Sequence, residues 1–497
     1  MRKFWPILSA VLIFIVLSLE ISCTPVGKTS LSPSPYQTTT APAKTSPAAA
    51  TKPGQSTTPV SSVASTASLS CFDALCDNPP PGMEALCEDY KSGILSWYYF
   101  PDCSLLPEGP CRDLCIREKA AATPALPDHL PTIQKAGKHY QPQTLDYISG
   151  AFPATQKSLA FGVGMQDLWG RSNGEDNRYY VDASMERVKE IGSELVMVTD
   201  FAVLKDDLSI VYEPMPSGAH TMGQNELKQI AERAKQNGQK VMFITNLMAD
   251  QPVKDKIVNP SPEALDKLFA QWKNLIGQQA AKAEKAGVDY FIINPGDTHF
   301  NAFEPTEHLN QLYTTLVAEA AKNYHGKLAV WWDIYPQGIW FLDNSVFTFY
   351  KQLDCILVSC SVQHVFSNSD ETIESIEAAW TNVLREPGFK KIADKETFLH
   401  ILMPSYAGAM QKGWIEPGTS YPEGMYQRDW KIQALVYEGL FRALYKNTAT
   451  NITGIISYGY WWLDTFYPES QTSQHLGHSI RGKDAEHVFY RWSKIFQ

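Results

Sequence analysis

The sequence predicts an α/β fold: a closed (β/α)8 or TIM barrel over residues 158–497, preceded by an export signal, a disordered linker and a small cysteine-rich module. Three observations carry this. Eight apolar, strand-like runs alternate with helical patterns, and such alternation implies parallel strands joined by right-handed crossovers. Glycines stand as helix stops ahead of strands at Gly192, Gly238, Gly287 and Gly326. A doubly wound sheet would place Gly-x-Gly-x-x-Gly after its first strand, whereas the chain reads Gly162-Val163-Gly164-Met165-Gln166-Asp167 and lacks the third glycine.

Residues 1–23 read as a secretory signal. Arg2 and Lys3 precede an apolar run, 7–19, that is too short to span a bilayer. Cys23 follows Leu19-Glu20-Ile21-Ser22 and resembles the lipidated cysteine of a bacterial lipoprotein signal, with Glu20 departing from the aliphatic residue preferred there. An ordinary cleaved signal or an uncleaved anchor is the alternative. The lipid reading puts the protein at the cell surface, exported and anchored to the membrane. Residues 24–70, almost wholly Thr, Ser, Pro, Ala and Lys, bury too little apolar surface to offset chain entropy and form a tether. Stretched at about 3.3 Å per residue, it reaches on the order of 150 Å.

Of nine cysteines, removal of Cys23 leaves eight. Six of them, Cys71, Cys76, Cys87, Cys103, Cys111 and Cys115, mark residues 71–116 as a disulfide-rich module of open connectivity. The spacing has no Cys-x2-Cys pair and no paired histidines, so no zinc is expected. Trp97, Tyr98, Tyr99 and Phe100 either stack on sugars or build the core of this small module. Residues 117–157 read as a second linker. A net charge of -10 without a Lys/Arg cluster argues against nucleic acid or an anionic membrane surface as partner.

The barrel strands are expected at 159–165, 194–199, 240–246, 289–294, 327–332, 355–359, 398–403 and 454–458. Helices are expected at 181–191, 224–236, 262–286, 305–323, 346–352, 370–384, 429–445 and 483–496. Residues just past the C-terminal strand ends of such barrels converge on one mouth. That rule gathers Trp169 after strand one, Asp200 after strand two, Asn246 after strand three, and Asp297 with His299 after strand four. Strand five adds Trp331, Trp332 and Asp333, strand seven Ser405 and Tyr406, and strand eight Tyr460, Trp461, Trp462 and Asp464.

Acids beside indoles suit a carbohydrate. Sugar C–H faces stack on Trp and Tyr, hydroxyls need short polar partners, and cleaving a glycosidic bond needs two flanking carboxyl groups. The competing reading makes the Trp pairs core aromatics and the acids helix caps. No Gly-x-Ser-x-Gly elbow is present, and His299 and His364 fall on different strands, so serine-hydrolase and metal-hydrolase chemistry fit less well. No metal or cofactor is expected. Cys355 and Cys360 flank strand six, either as a disulfide or as buried thiols.

The tail Gly459-Tyr460-Trp461-Trp462-Leu463-Asp464-Thr465-Phe466-Tyr467-Pro468-Glu469, followed by Ile480-Arg481-Gly482-Lys483-Asp484-Ala485-Glu486 and Arg491-Trp492, resembles the end of barrel glycoside hydrolases related to family 113, the mannanase-like group. The resemblance implies an aromatic platform on the last strand and a closing helix begun by the Arg-Gly-Lys-x-Ala-Glu segment. It also implies a glutamate acid/base after strand four and a glutamate nucleophile after strand seven. This chain departs at both, with Asp297 at the first and Ser405, followed by no acid until Glu416, at the second. Asp297 therefore needs Asp333 or Asp464 as partner, and the apolar run Phe291-Ile292-Ile293 with Phe300 is expected to raise its pKa by desolvation. The expected function is a tethered glycoside hydrolase. A surface glycan-binding lipoprotein on a degenerate barrel is the alternative, and a protein-binding scaffold the third reading.

Overall fold

Eight parallel strands close on themselves. The structure is a computed structural model describing residues 112–113, 139–155, 157–165, 178–211, 222–249, 260–294, 306–333, 346–366, 369–413, 425–447, 451–460 and 476–496. The signal, Cys23, the first linker and all six cysteines of the predicted module lie outside these residues. In chain order the strands are β1 (Ala160–Met165), β2 (Leu195–Leu204), β3 (Ile210–Val211), β4 (Lys240–Ala249), β5 (Tyr290–Ile293), β6 (Lys327–Asp333), β7 (Cys355–Ser361), β8 (Glu396–Leu402) and β9 (Ile452–Ser457). β1 pairs in parallel with β2, Gly162 opposite Leu195, and with β9, Gly162 opposite Ile456. That double pairing closes the barrel, as the sequence predicts. β3 is a two-residue antiparallel addition to β2 and lies outside the eight.

Among the described residues seven longer helices cover the outside: α1 (Arg178–Glu190), α2 (Gln224–Gln236), α3 (Pro262–Ala286), α4 (Glu307–Asn323), α5 (Ile373–Leu384), α6 (Trp430–Lys446) and α7 (Asp484–Ile495). α3 shows how sequence sets their bounds. Ser261 Oγ accepts from the Ala264 amide, Pro262 occupies the first turn, and Gly287 ends the helix in the left-handed region. Gly192 and Gly238 are left-handed stops as well. Gly326 is not. It is small because the Tyr324 ring folds over it, where a Cβ would lie 2.2 Å from the phenol oxygen.

The core has two parts. Inside the barrel, Leu195, Met197, Met242, Ile244, Tyr290, Ile292, Ala329, Cys355, Leu357, Phe398 and Ile456 form one apolar cluster. Between strands and helices lies a larger one, which includes Phe161, Val198, Phe243, Phe291, Trp332, Ile356 and Ile455. The two alternate along every strand because successive side chains point to opposite faces. Cys355 belongs to the inner cluster and Cys360 to the outer, so they face opposite ways and are not joined to each other in a disulfide. α5 and α6 approach closely at Gly439, where a Cβ would sit 2.6 Å from Ile376, and Trp380 Nε1 donates to the Val436 carbonyl at 3.1 Å.

Residues 139–155, which composition assigns to a linker, lie against the closing helix. The Phe152 ring stands 4.8 Å from Trp492, Tyr147 Oη donates to Asp484 at 2.5 Å, and the Thr155 amide donates to the Ile495 carbonyl at 2.9 Å. Tyr140 stacks obliquely on Tyr490 at 4.8 Å. Aromatic side chains supplied by the helix turn a polar, Pro-rich segment into a strap. Among the described residues no helix is long and apolar enough to cross a membrane.

Candidate functional site

Counting two residues along each strand from the apolar interior reaches a ring of different character. Met197, Ile244, Ile292, Ala329, Leu357, Phe398 and Ile456 all face inward. Two positions on, toward the C-terminal ends, stand Thr199, Asn246, Asn294, Trp331, Ser359, His400 and Tyr458, with Gly164 completing the ring on β1. Polar and aromatic side chains thus replace aliphatic ones in a single step at the mouth end of the barrel.

The ring holds together partly through its own contacts. Asn294 Nδ2 donates to Asn246 Oδ1, both side chains buried. This fixes the backbone directly before Pro295, three residues ahead of Asp297. Trp331 meets His400 edge to face at 5.7 Å, His400 meets Tyr458 at 5.2 Å, and Tyr458 meets His478 at 5.5 Å. Other atoms of the ring have no partner: Thr199 Oγ1, Trp331 Nε1, Ser359 Oγ and both ring nitrogens of His400. His400 is 1% exposed and Ser359 fully buried. Leaving such groups unpaired costs about 1–3 kcal/mol each, so their collection in one place is unusual.

Burial lowers the His400 pKa to about 3. For His478 burial, then the Lys483 charge and His400, lower it to about 3 as well. Both rings are neutral in the folded protein. An unfolded chain protonates histidine near pH 6.5. Their contribution to stability is therefore complete above about pH 6.5 and falls progressively toward pH 3, because only the unfolded state takes up protons in that window. Thermal unfolding midpoints measured between pH 7.5 and 4 should drop more steeply for the wild type than for His400→Gln; parallel curves would contradict this.

Several residues that the sequence brings to the mouth are elsewhere. Asp200 follows Val196 and Val198 on the helix-facing side of β2, and its carboxylate accepts from the Phe201 amide at 2.8 Å, the Met222 amide at 2.6 Å, Gln279 Nε2 at 3.0 Å and Lys282 Nζ at 2.9 Å. It anchors α3 to the barrel wall. Trp332 follows Val330 outward and is buried against Tyr313, Phe347 and Phe349. Of the Trp331–Trp332 pair only Trp331 faces the interior, where it packs against the inner cluster. Tyr406 is buried, donates to the Gly413 carbonyl at 2.9 Å and meets Tyr426 edge-on at 4.8 Å. Tyr460 is buried and donates to Glu486 at 2.7 Å. These side chains are core aromatics and an anchoring acid, the competing reading of the sequence.

Asn246 and Trp331 stand in the ring. The backbone of Asp333 ends β6, paired in register with Ser359; its side chain, like Asp297, His299, Trp169, Trp461, Trp462 and Asp464, lies outside the described residues. Sequence reading passed over Thr199, Asn294, Ser359, His400 and Tyr458. A signal existed in each case: a polar residue at an inward position of an apolar strand, visible once register is known.

Beyond β8, Ser405 is fully buried, donates Oγ to the Gly477 carbonyl at 3.1 Å and accepts from Lys483 Nζ at 2.9 Å. The pair fastens the 476–483 loop. Behind it, Glu486 receives Arg187 Nε at 2.8 Å and its terminal nitrogen at 2.5 Å, Tyr460 Oη, and the Gly482 amide at 2.8 Å. Burial pushes the Glu486 carboxyl up, but the Arg187 charge and these hydrogen bonds bring it below the ordinary value. The segment Arg481-Gly482-Lys483-x-Ala485-Glu486 does lead into the closing helix, and the structure shows it as a buried clamp.

No protein-family model matches the sequence. No curated protein matches it either. Solved structures do. A β-1,4-mannanase of glycoside hydrolase family 113 superposes with a TM-score of 0.50 at 18% identity, covering 68% of this chain and 99% of that one. The family 113 β-mannanase AaManA from Alicyclobacillus acidocaldarius, in complex with ManMIm, gives 0.49 at 20% identity over 69% and 98%. The family 1 β-glucosidase from Thermotoga maritima gives 0.40 at 10% identity over 70% and 99%. The first of these likenesses shows that the chain shares the barrel fold of family 113 enzymes.

Proposed function

We propose that this barrel acts on an oligo- or polysaccharide, hydrolysing a glycosidic bond with Asp297 as general acid and Asp333 or Asp464 as the second carboxyl group. One observation carries the reading: at the strand ends next to Asp297 and Asp333, the inward face changes from aliphatic to Asn, Ser, His, Thr, Trp and Tyr. Short polar groups beside aromatic faces match the hydroxyls and C–H faces of a sugar. The fold shared with family 113 mannanases is compatible with a mannan-type substrate. Reducing-sugar release and calorimetric binding, measured on the same purified protein with manno- and gluco-oligosaccharides, test it. Absence of both binding and release would reject it.

A second reading, glycan binding without cleavage, is favoured by β8. Residues 397–415 contain no Asp or Glu, and Ser405, where family resemblance would place a carboxylate, is buried in hydrogen bonds to Gly477 and Lys483. Saturable binding with no release selects this reading.

In either case the chain works outside the cytoplasm on a lipid tether at Cys23. Cys23→Ser should move the protein from the membrane fraction to the soluble fraction; retention in the membrane would favour an uncleaved anchor.

A further inference from the structure

Three members of the ring lie side by side. Ser359 and His400 are register partners on adjacent strands and both face inward, while the Trp331 and His400 rings are in edge contact. The four atoms without hydrogen bonds here, Ser359 Oγ, Trp331 Nε1 and two imidazole nitrogens, make one small patch rather than scattered defects. Below it the interior is closed by Ala329, Leu357 and Phe398. It is therefore the floor of the mouth.

We propose that Ser359, His400 and Trp331 form a neutral hydrogen-bonding floor for a hydroxyl of an uncharged sugar, the primary hydroxyl arm of a hexopyranose being the group that reaches it. This rests on the glycan reading above and adds which sugars the site accepts. A hydroxyl both donates and accepts, as the floor requires: Trp331 only donates, the neutral imidazole offers one donor and one acceptor, and Ser359 does either. Burial holds His400 uncharged at neutral pH, so no cation from the floor meets a carboxylate. Among the described residues the buried cations are engaged elsewhere, Lys282 with Asp200, Arg187 with Glu486, Lys483 with Ser405 and the Gly477 carbonyl, and Arg481 with Ser184. A uronate would bury its charge unpaired, at a cost that excludes it. The primary hydroxyl stands on a methylene and projects furthest from a pyranose ring, which suits a small polar patch lying directly on the apolar interior.

The test is calorimetric binding of manno- and gluco-oligosaccharides to the full-length protein, each compared with its 6-deoxy and its uronate counterpart. The wild type should bind a parent oligosaccharide at least tenfold more tightly than both counterparts. In Ser359→Ala, which removes one oxygen, and in His400→Gln, the preference for the parent over the 6-deoxy sugar should shrink about tenfold while affinity for the 6-deoxy sugar is unchanged. A wild type that binds the 6-deoxy or uronate sugar as tightly as the parent overturns the floor and leaves the glycan reading intact, as does an unchanged preference in both variants. A wild type that binds none of these sugars overturns both. The comparison between ligands needs no variant, so a destabilised mutant does not block it.

Discussion

Replacing Asp297 with Asn should lower glycan hydrolysis by about 10²–10⁴-fold while oligosaccharide binding stays within a few-fold of wild type, the loss usual for a general acid. Asn keeps the shape of the side chain and removes only the transferable proton. Binding, which the proposed function assigns to the ring of Asn246, Asn294, Trp331, Ser359 and His400, should be largely untouched. The partner is identified by the same assay: two carboxyl groups that cleave a glycoside lie about 5–5.5 Å apart for a nucleophile and about 6.5–9.5 Å apart for a base acting through water. Asp333 ends the strand next to the one that precedes Asp297, and Asp464 comes seven residues after the end of β9 in the sequence, so Asp333→Asn should reproduce the loss in the first geometry and Asp464→Asn in the second. Unchanged turnover in Asp297→Asn removes it from the mechanism.

Glu486→Ala should destabilise the protein by about 3–5 kcal/mol, the range for stripping one partner from a buried ion pair. The reason is what remains. Arg187 is 5% exposed and would keep its guanidinium facing an empty acceptor, with Tyr460 and the Gly482 amide also losing theirs. Glu486→Gln retains two of these hydrogen bonds and should lose less. The double change Arg187→Met with Glu486→Met should recover much of the loss, since replacing a buried pair by apolar residues is often neutral. Urea unfolding midpoints decide it, and a Glu486→Ala protein within about 1 kcal/mol of wild type would show that the clamp carries little.

The fold was legible because its signals are local and repeated. The expected helices at 224–236 and 262–286 coincide with α2 and α3, where a cap, an apolar stripe and a left-handed glycine agree. The site was less legible because strand ends carry two faces. Trp331 and Trp332 look equivalent in a linear chain, yet parity sends one to the interior and the other beneath α4. Asp200 reads as a mouth acid until Lys282 and Gln279, some eighty residues later, claim it. His400 was overlooked for the opposite reason: one histidine amid Phe398, Leu399 and Ile401 looks like a tolerated core residue, and only closure of the barrel shows that it looks into the mouth. In the sequence the strap at 139–155 looks like linker because its partners, Tyr490 and Trp492, lie more than 300 residues later.

The pairing of β1 with β9 also sets when this protein can finish folding. Phe161 lies opposite Ile455, so the first barrel strand waits for nearly the whole polypeptide before its second edge is covered. Contacts of such long sequence separation form late, because the chain entropy of closing the loop is lost before any pairing offsets it. Until then the edges of β1 and β8 are both open templates for another chain. If the chain is exported from its N-terminus, as proposed above, the delay is an advantage, since no stable barrel can form while the last strand is still on the other side. The same order of events makes the C-terminal fifty residues the part whose loss most directly converts a folding intermediate into an aggregate.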